Sequence, residues 1–190
     1  MKKIIIAVLV LAVCFTKPAN AQTTDASMKS WQDYMTPGDI HKMIARYDGT
    51  WNEDVTVWMQ PGNPPSVSKS TAVNTMIMGG RYQESKISGN IMGMPFEGFS
   101  LLGYDNIKKV FTSTWVDNFG TGTMTMEGTW DDATKTIILK GKSLDPMSGK
   151  DMDEKETIQF INDSTEKFTM YTESAAGEFK NMEINSIRAK

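Results

Sequence analysis

The sequence predicts an all-β protein, an antiparallel up-and-down barrel of about ten strands preceded by a short N-terminal helix. After Gly49 the apolar residues recur at every second position, as in strands that bury one face. The turn-rich segments between the strands are too short for crossover helices, which indicates hairpins and therefore antiparallel pairing. An open sheet of this size would have two unpaired edges, and closing it into a barrel removes them.

The predicted strands share this alternation and lie near residues 50–60, 68–78, 80–89, 95–104, 109–117, 122–131, 135–142, 153–162, 166–174 and 178–188. The pattern is clearest around Asp105-Asn106, where turn residues separate an apolar run from a second alternating segment. Two glycine-rich joints, Gly79-Gly80 and Gly89 to Gly93, are expected to be bulges or corners that help the sheet to curl.

The first 21 residues are predicted to be a signal peptide. Lys2 and Lys3 precede an apolar run over 4–15 that is too short to span a bilayer, and Ala19-Asn20-Ala21 is a small-x-small cleavage site. We therefore expect a periplasmic or secreted protein that begins at Gln22. Lipidation of Cys14 is an alternative, although the large Val13 departs from the lipoprotein pattern.

Residues 22–48 are predicted to form an N-terminal helical segment, and residues 49–190 the barrel domain. In Thr36-Pro37-Gly38-Asp39, Thr36 and Asp39 form a capping box, which predicts a helix over about 37–47. This helix is expected to cover one end of the barrel. Residues 22–27 are polar and are expected to be frayed.

Composition excludes several classes of function. Loss of residues 1–21 leaves 17 basic against 23 acidic residues, a net charge of −6, which argues against a nucleic-acid partner. The only cysteine lies in the leader, so no disulfide is expected. No second apolar run is long enough for a membrane span. The expected partner is a small molecule without a cofactor, and the oligomeric state is left open.

Gly49-Thr50-Trp51, placed after a short helix, resembles the G-x-W opening of lipocalins and related calycin barrels. In those barrels the tryptophan closes one end beneath a basic residue near the last strand. The resemblance implies that Trp51 and Arg188 have this structural role.

The mature chain also resembles a bacterial family known only as domain of unknown function 1579. The segments that carry the resemblance occur in the same order and are Pro37-Gly38, His41-Lys42, Gly49-Thr50-Trp51, Gly79-Gly80-Arg81-Tyr82, Pro95-Phe96-Glu97-Gly98, Gly103-Tyr104-Asp105-Asn106, Trp115-Val116-Asp117, Asp145-Pro146 and Gly149-Lys150. The resemblance implies a lipocalin-like barrel and no established activity.

A closed barrel of this size can enclose one small ligand. The candidate ligand-binding residues combine polar and aromatic groups from three neighbouring strands: Arg81, Tyr82, Glu97, Tyr104, Trp115 and Asp117. A charge facing inward needs a partner, so Arg81 is expected to pair with Glu97 or Asp117. The predicted ligand is apolar or amphipathic. The same groups could instead form a structural ion pair or turn hydrogen bonds.

Three alternatives are left open. One is an enzyme that uses these carboxylates for acid–base chemistry, although no catalytic motif is present. Another is a filled barrel that acts as an interaction module. A third is Cu(I) binding by paired thioethers, because two methionines at i and i+2 share one face of a strand; these pairs are Met76/Met78, Met92/Met94 and Met124/Met126.

Two further features are interpreted as structural. His41, the only histidine, is expected to be a partly exposed helix residue or to bond to the barrel rim. The acidic stretch 151–154 is expected to be a solvated turn, because it lacks the spacing of a calcium loop. No metal site is predicted.

Overall fold

The computed structural model describes residues 20–91, 93–174 and 177–190. The predicted leader up to residue 19, with Cys14, and Met92 of one methionine pair lie outside the described residues. The chain divides into two compact units, and the second, from Tyr34 to Lys190, contains the barrel. No helix in the described ranges is long and apolar enough to cross a membrane.

Two helices precede the barrel, α1 (Asn20–Met35) and α2 (Asp39–Ala45). The expectation that 22–27 is frayed is wrong, because this segment belongs to α1. The stretch from 20 to 35 contains neither Gly nor Pro, and Lys29 bonds Asp33 one turn later at 3.3 Å.

The predicted capping box at Thr36 and Asp39 is also wrong. Helix α2 begins at Asp39, its N-cap is Gly38, and the Gly38 N–H donates to His41 Nδ1 at 3.1 Å. Asp39 instead pairs with Lys42 at 2.8 Å. The side chain of His41 therefore satisfies one of the free N–H groups at the start of the helix.

Ten strands form one closed antiparallel barrel, which confirms the predicted fold. In chain order they are β1 (Gly49–Val57), β2 (Ser66–Ile77), β3 (Tyr82–Ile91), β4 (Met94–Asp105), β5 (Val110–Asp117), β6 (Met124–Asp131), β7 (Thr136–Asp145), β8 (Lys150–Asn162), β9 (Thr165–Ser174) and β10 (Gly177–Arg188). Each strand pairs with its neighbours in sequence, and β1 pairs with β10.

The glycine-rich joints were expected to be bulges or corners, and they form hairpin turns, except that Gly89 lies within β3. Gly79 and Gly80 lie in the β2–β3 turn and Gly93 in the β3–β4 turn, all with positive φ. The shifts of register occur on the opposite side of the barrel, between Lys180 and Met182 and between Phe160 and Asn162. These segments contain no glycine, so glycine content did not reveal them.

Helix α2 closes one end of the barrel, which we call the closed end. Gln83 Nε2 of β3 donates to the Ile44 carbonyl at 3.1 Å, and Asn74 Nδ2 of β2 donates to the Tyr47 carbonyl at 3.2 Å. Burial and hydrogen bonding together fix α2 and the residues after it against the barrel. The other end, where β1 finishes and β10 starts, is the open end.

Candidate ligand-binding site

In the interior of the barrel, or lumen, several inward side chains at the closed end are fully buried, and several toward the open end are partly exposed. Near the closed end the inward side chains of Trp51, Phe111 and Ile137 have no exposed surface. Inward residues nearer the open end remain partly exposed, and they include Ile87, Ser100, Trp115, Met124, Ser143, Met152 and Thr172. Water can therefore enter the lumen from the open end.

Arg188 seals the closed end over Trp51. Its guanidinium carbon lies 4.4 Å from the centre of the indole ring, and its nitrogens donate to the carbonyls of Asp48, Arg46 and Asp163. Gly49 has a φ of 124°, and a Cβ there would lie 2.9 Å from Arg188. The G-x-W segment and the last strand thus form a single structural unit away from the open lumen.

An aromatic cluster lines the lumen near the open end. The rings of Phe96 and Trp115 stack with their centres 6.3 Å apart. Trp115 Nε1–H donates to Asp117 Oδ2 at 2.7 Å, and Asp117 Oδ1 accepts from the backbone N–H groups of Phe119 and Gly120. Asp117 therefore fixes both the indole orientation and the turn that follows β5.

Gly98 creates the space that Trp115 occupies, which gives a direct prediction. A Cβ at position 98 would lie 2.3 Å from the outer edge of the indole. We expect Gly98→Ala to displace the ring, to break its hydrogen bond to Asp117, and to shift tryptophan emission to longer wavelength. Gly122→Ala is the matched control, because a Cβ there meets nothing within 4 Å. Identical spectra for both variants would contradict this placement of the ring.

Four glutamates face the lumen: Glu53, Glu154, Glu156 and Glu166. Glu154 is 2% exposed and accepts hydrogen bonds from Ser143 at 2.9 Å, Thr172 at 3.2 Å and Asn181 at 3.5 Å. Glu53 accepts one from Ser70 at 2.5 Å. These bonds compensate part of the cost of burying two carboxylates.

Burial raises the pKa of all four glutamates. It raises the pKa of Glu156 to about 7, with a further contribution from the charge of Glu154. Burial likewise raises the pKa of Glu166 to about 7, with Glu53 adding to the rise and Arg188 opposing it. The pKa values of Glu53 and Glu154 are also raised by burial, although hydrogen-bond donors limit the shift.

A model of the family described as "Protein of unknown function (DUF1579)" matches residues 36–188, which is most of the chain. The chain belongs to the DUF1579 family. The crystal structure of Rv2717c from M. tuberculosis has a similar fold, with a TM-score of 0.59 and 12% sequence identity. The match covers 82% of this chain and 100% of that chain, and at this identity it supports the barrel fold alone. No curated protein matches the sequence.

The candidate residues predicted from the sequence do not form one group in this DUF1579 protein. Arg81 lies at the closed end, where it bonds the carbonyls of Met78 and Met35. Glu97 points outward near the open end and is exposed. The predicted pairing of Arg81 with Glu97 or Asp117 is therefore wrong, because the length of the barrel separates them.

The aromatic candidates are divided in the same way. Tyr82 lies outside the barrel over Gly103 and is 38% exposed. Tyr104 faces inward at the closed end, where its ring packs against Phe111 and against the edge of His41. Of the six predicted residues, only Trp115 and Asp117 meet in the open part of the lumen.

Of the two expectations for His41, partial exposure is wrong and a hydrogen bond to the barrel is confirmed. The imidazole is 5% exposed, and burial lowers its pKa. The nearby Arg81 adds to this effect, whereas a bond to the Tyr104 backbone opposes it. His41 therefore acts within the closed end, at the start of helix α2.

The methionine pairs are largely separated by the fold. Met76 packs in the core of the DUF1579 barrel, but Met78 lies beyond the end of β2 with positive φ and is 70% exposed. Met94 is 50% exposed. Of the two pairs whose members are both described, Met124 and Met126 share the lumen face as predicted. No group of three or more His, Cys, Asp or Glu in the described ranges is arranged to hold a metal ion.

A shallow groove of about 490 Å³ lies on the outer face of β7 to β10. Thr136, Thr157 and Thr169 contribute to its lining, and Glu183 at its edge bonds Lys167 at 3.1 Å and Lys180 at 2.8 Å. These bonds lower the pKa of Glu183 to about 2. The charges of the groove neutralise one another, whereas Glu154 and Glu156 in the lumen have no ion pair among the described residues.

Sequence reasoning missed the lumen glutamates. The stretch 151–154 is not a solvated turn but part of β8, and Glu154 faces inward. The signal was present in the alternation itself, because Glu154, Glu156, Ile158 and Phe160 occupy every second position of one strand. Two acidic residues at inward positions contradict the usual rule that this face is apolar, and Glu154 was instead included in the predicted solvated turn.

Proposed function

We propose that this DUF1579 protein is an exported binding protein whose lumen takes up one small amphipathic molecule through the open end. The observation that carries the proposal is the partial exposure of inward side chains near the open end, among them Ser100, Trp115 and Met124. A pocket with an apolar wall and a few oriented polar groups is typical of small-molecule sites. Phe96 and Trp115 supply the aromatic wall, and the glutamates supply the polar groups.

The exported location is part of the proposal and rests on the leader sequence. The positively charged Lys2 and Lys3, a short apolar run and the Ala19-Asn20-Ala21 site support cleavage after residue 21. We expect protein recovered from a bacterial periplasm to begin at Gln22. Recovery of the uncleaved chain from the cytoplasm would contradict export.

Native mass spectrometry tests for the ligand directly. We expect protein purified from the periplasm to carry an excess mass of a few hundred daltons that disappears on denaturation. An excess that matches copper would favour the metal hypothesis instead. Absence of any excess, together with failure to bind added amphiphiles, would overturn the proposal.

Ser100→Phe makes this test specific to the lumen. Ser100 faces inward beside Trp115, so a phenyl group there fills the proposed binding space. Leu101→Phe places the same ring on the outer face of the same strand. We expect only Ser100→Phe to lose the excess mass, with both variants folded as judged by circular dichroism.

A further inference from the structure

Glu156 is a largely buried residue whose carboxylate faces the lumen. Its side chain is 6% exposed, and it faces the lumen between Leu139 of β7 and Met170 of β9. Within the described part of the chain, no hydrogen bond or ion pair reaches its oxygens. Because an unpaired buried charge is very costly, a partner from outside the chain would stabilise this group strongly.

A second unused acceptor lies beside the neighbouring glutamate. Asn181 donates through Nδ2 to Thr172 at 2.8 Å and to Glu154 at 3.5 Å, which leaves its Oδ1 directed elsewhere. That oxygen is buried and has no donor among the described residues. The donors in this region, from Ser143, Thr172 and Asn181, therefore go to Glu154, and they leave Glu156 and the Asn181 Oδ1 without a donor.

The described strands supply no cation to this region. Basic residues occupy only two inward positions of the strands described, Lys150 and Arg188. Lys150 is exposed at the open end, and Arg188 is bound to carbonyls at the closed end. An ionised Glu156 therefore has no countercharge among the described residues.

We propose that the ligand is an organic cation with an apolar body, whose ammonium group binds the carboxylate of Glu156. This inference rests on the proposed function and specifies its ligand class. An ammonium group offers three donors and a positive charge, which complements a carboxylate that accepts no hydrogen bond from the described residues. The apolar body extends toward Met152, four residues nearer the open end on the same face of β8, a span of roughly 13 Å.

The test compares three probes that share a ten-carbon chain: decylamine, decanol and decanoate. Each is titrated below its micelle concentration at pH 8 by calorimetry, against wild-type protein, Glu156→Gln and Glu127→Gln. Glu127 is exposed on the outer face of β6 and is the matched control. We expect wild type and Glu127→Gln to bind decylamine at least about tenfold more tightly than decanol, as one charge-assisted contact requires.

Glu156→Gln should lose this preference and keep its affinity for decanol. Equal binding of decylamine and decanol by wild type, or an unchanged preference in Glu156→Gln, would overturn the cation assignment while leaving a binding barrel intact. Failure of all three probes to bind would instead overturn the proposed function itself. The two failures are therefore distinguishable.

Proton release gives an independent readout. Around Glu156, β7 and β9 present the uncharged Leu139 and Met170, and Glu154 on β8 is the nearest charged group. The other carboxylates at inward strand positions are Glu53, Asp117, Asp145 and Glu166. At pH 6.5 decylamine binding should release a proton from wild type, measured in buffers of different ionisation enthalpy, and Glu156→Gln should release less. Equal release from both would also overturn the assignment.

Discussion

Replacing Trp51 by alanine should lower the free energy of unfolding by about 3–5 kcal/mol, the usual cost of deleting a fully buried large aromatic ring. The indole has no exposed surface, and its Nε1–H donates to the Tyr47 carbonyl at 3.0 Å. Its removal leaves a cavity beneath the guanidinium of Arg188, which lies 4.4 Å from the ring. The closed end would lose its packing and its cation–π contact together.

Urea denaturation followed by circular dichroism measures this loss. Trp58→Ala is the matched control, because Trp58 follows β1 at the open end, where its ring meets Lys180 at 4.5 Å. A partly exposed contact of this kind contributes about 1 kcal/mol or less. Equal losses in the two variants would contradict the assignment of Trp51 as the core of the closed end.

The strands and the barrel were predictable because their signals are local. Alternation gives each strand a buried face, and turn residues mark each corner. The Asp105 turn is an example, since the Asp105 carboxylate accepts the N–H groups of Ile107 and Lys108 as predicted from Asp105-Asn106. The absence of crossover segments then implies antiparallel pairing, and closure removes the two unpaired edges of the sheet. Neither step requires knowledge of an individual contact.

The inward face of β4 was not predictable by the same means. Phe96 and Leu102 lie on one face of this strand, and Phe99 and Leu101 lie on the other. Because both faces are apolar, the period of two does not identify the buried one. Glu97 was therefore grouped with inward residues, although it points outward. Only the pairing of whole strands around the barrel decides the question.

The separation of Arg81 from Asp117 has a different cause. Each strand runs from one end of the barrel to the other. Residues on neighbouring strands therefore need not lie at the same end. Arg81 precedes the start of β3 at the closed end, whereas Asp117 ends β5 at the open end. Charge and alternation alone contain no information on position along the axis, so the predicted ion pair had no geometric support.

Glu156→Gln should stabilise the ligand-free protein at pH 8 by about 3 kcal/mol and leave it unchanged at pH 4. The pKa of Glu156 is about 7 in the folded protein against an ordinary value of 4.5. Between pH 4.5 and about 7, residue 156 has lost its proton in the unfolded chain but keeps it in the folded chain. The stability of the protein therefore falls as the pH rises through this window. Above pH 7 both states are ionised, and the full difference of about 3 kcal/mol remains. Glutamine resembles the protonated form and has no such penalty.

Unfolding in urea at pH 4, 6 and 8 measures the effect, with Glu127→Gln expected to follow wild type at each pH. The free energy of unfolding of Glu156→Gln should still fall somewhat above pH 5, because the pKa of Glu166 is also about 7. Equal stability of wild type and Glu156→Gln at pH 8 would show that this carboxylate is well solvated.

Saturating decylamine should then separate the two roles of Glu156: an ammonium group that compensates the buried charge raises the stability of wild type at pH 8 more than that of Glu156→Gln. The destabilising carboxylate and the ligand-binding carboxylate are the same group, so removing one property removes the other.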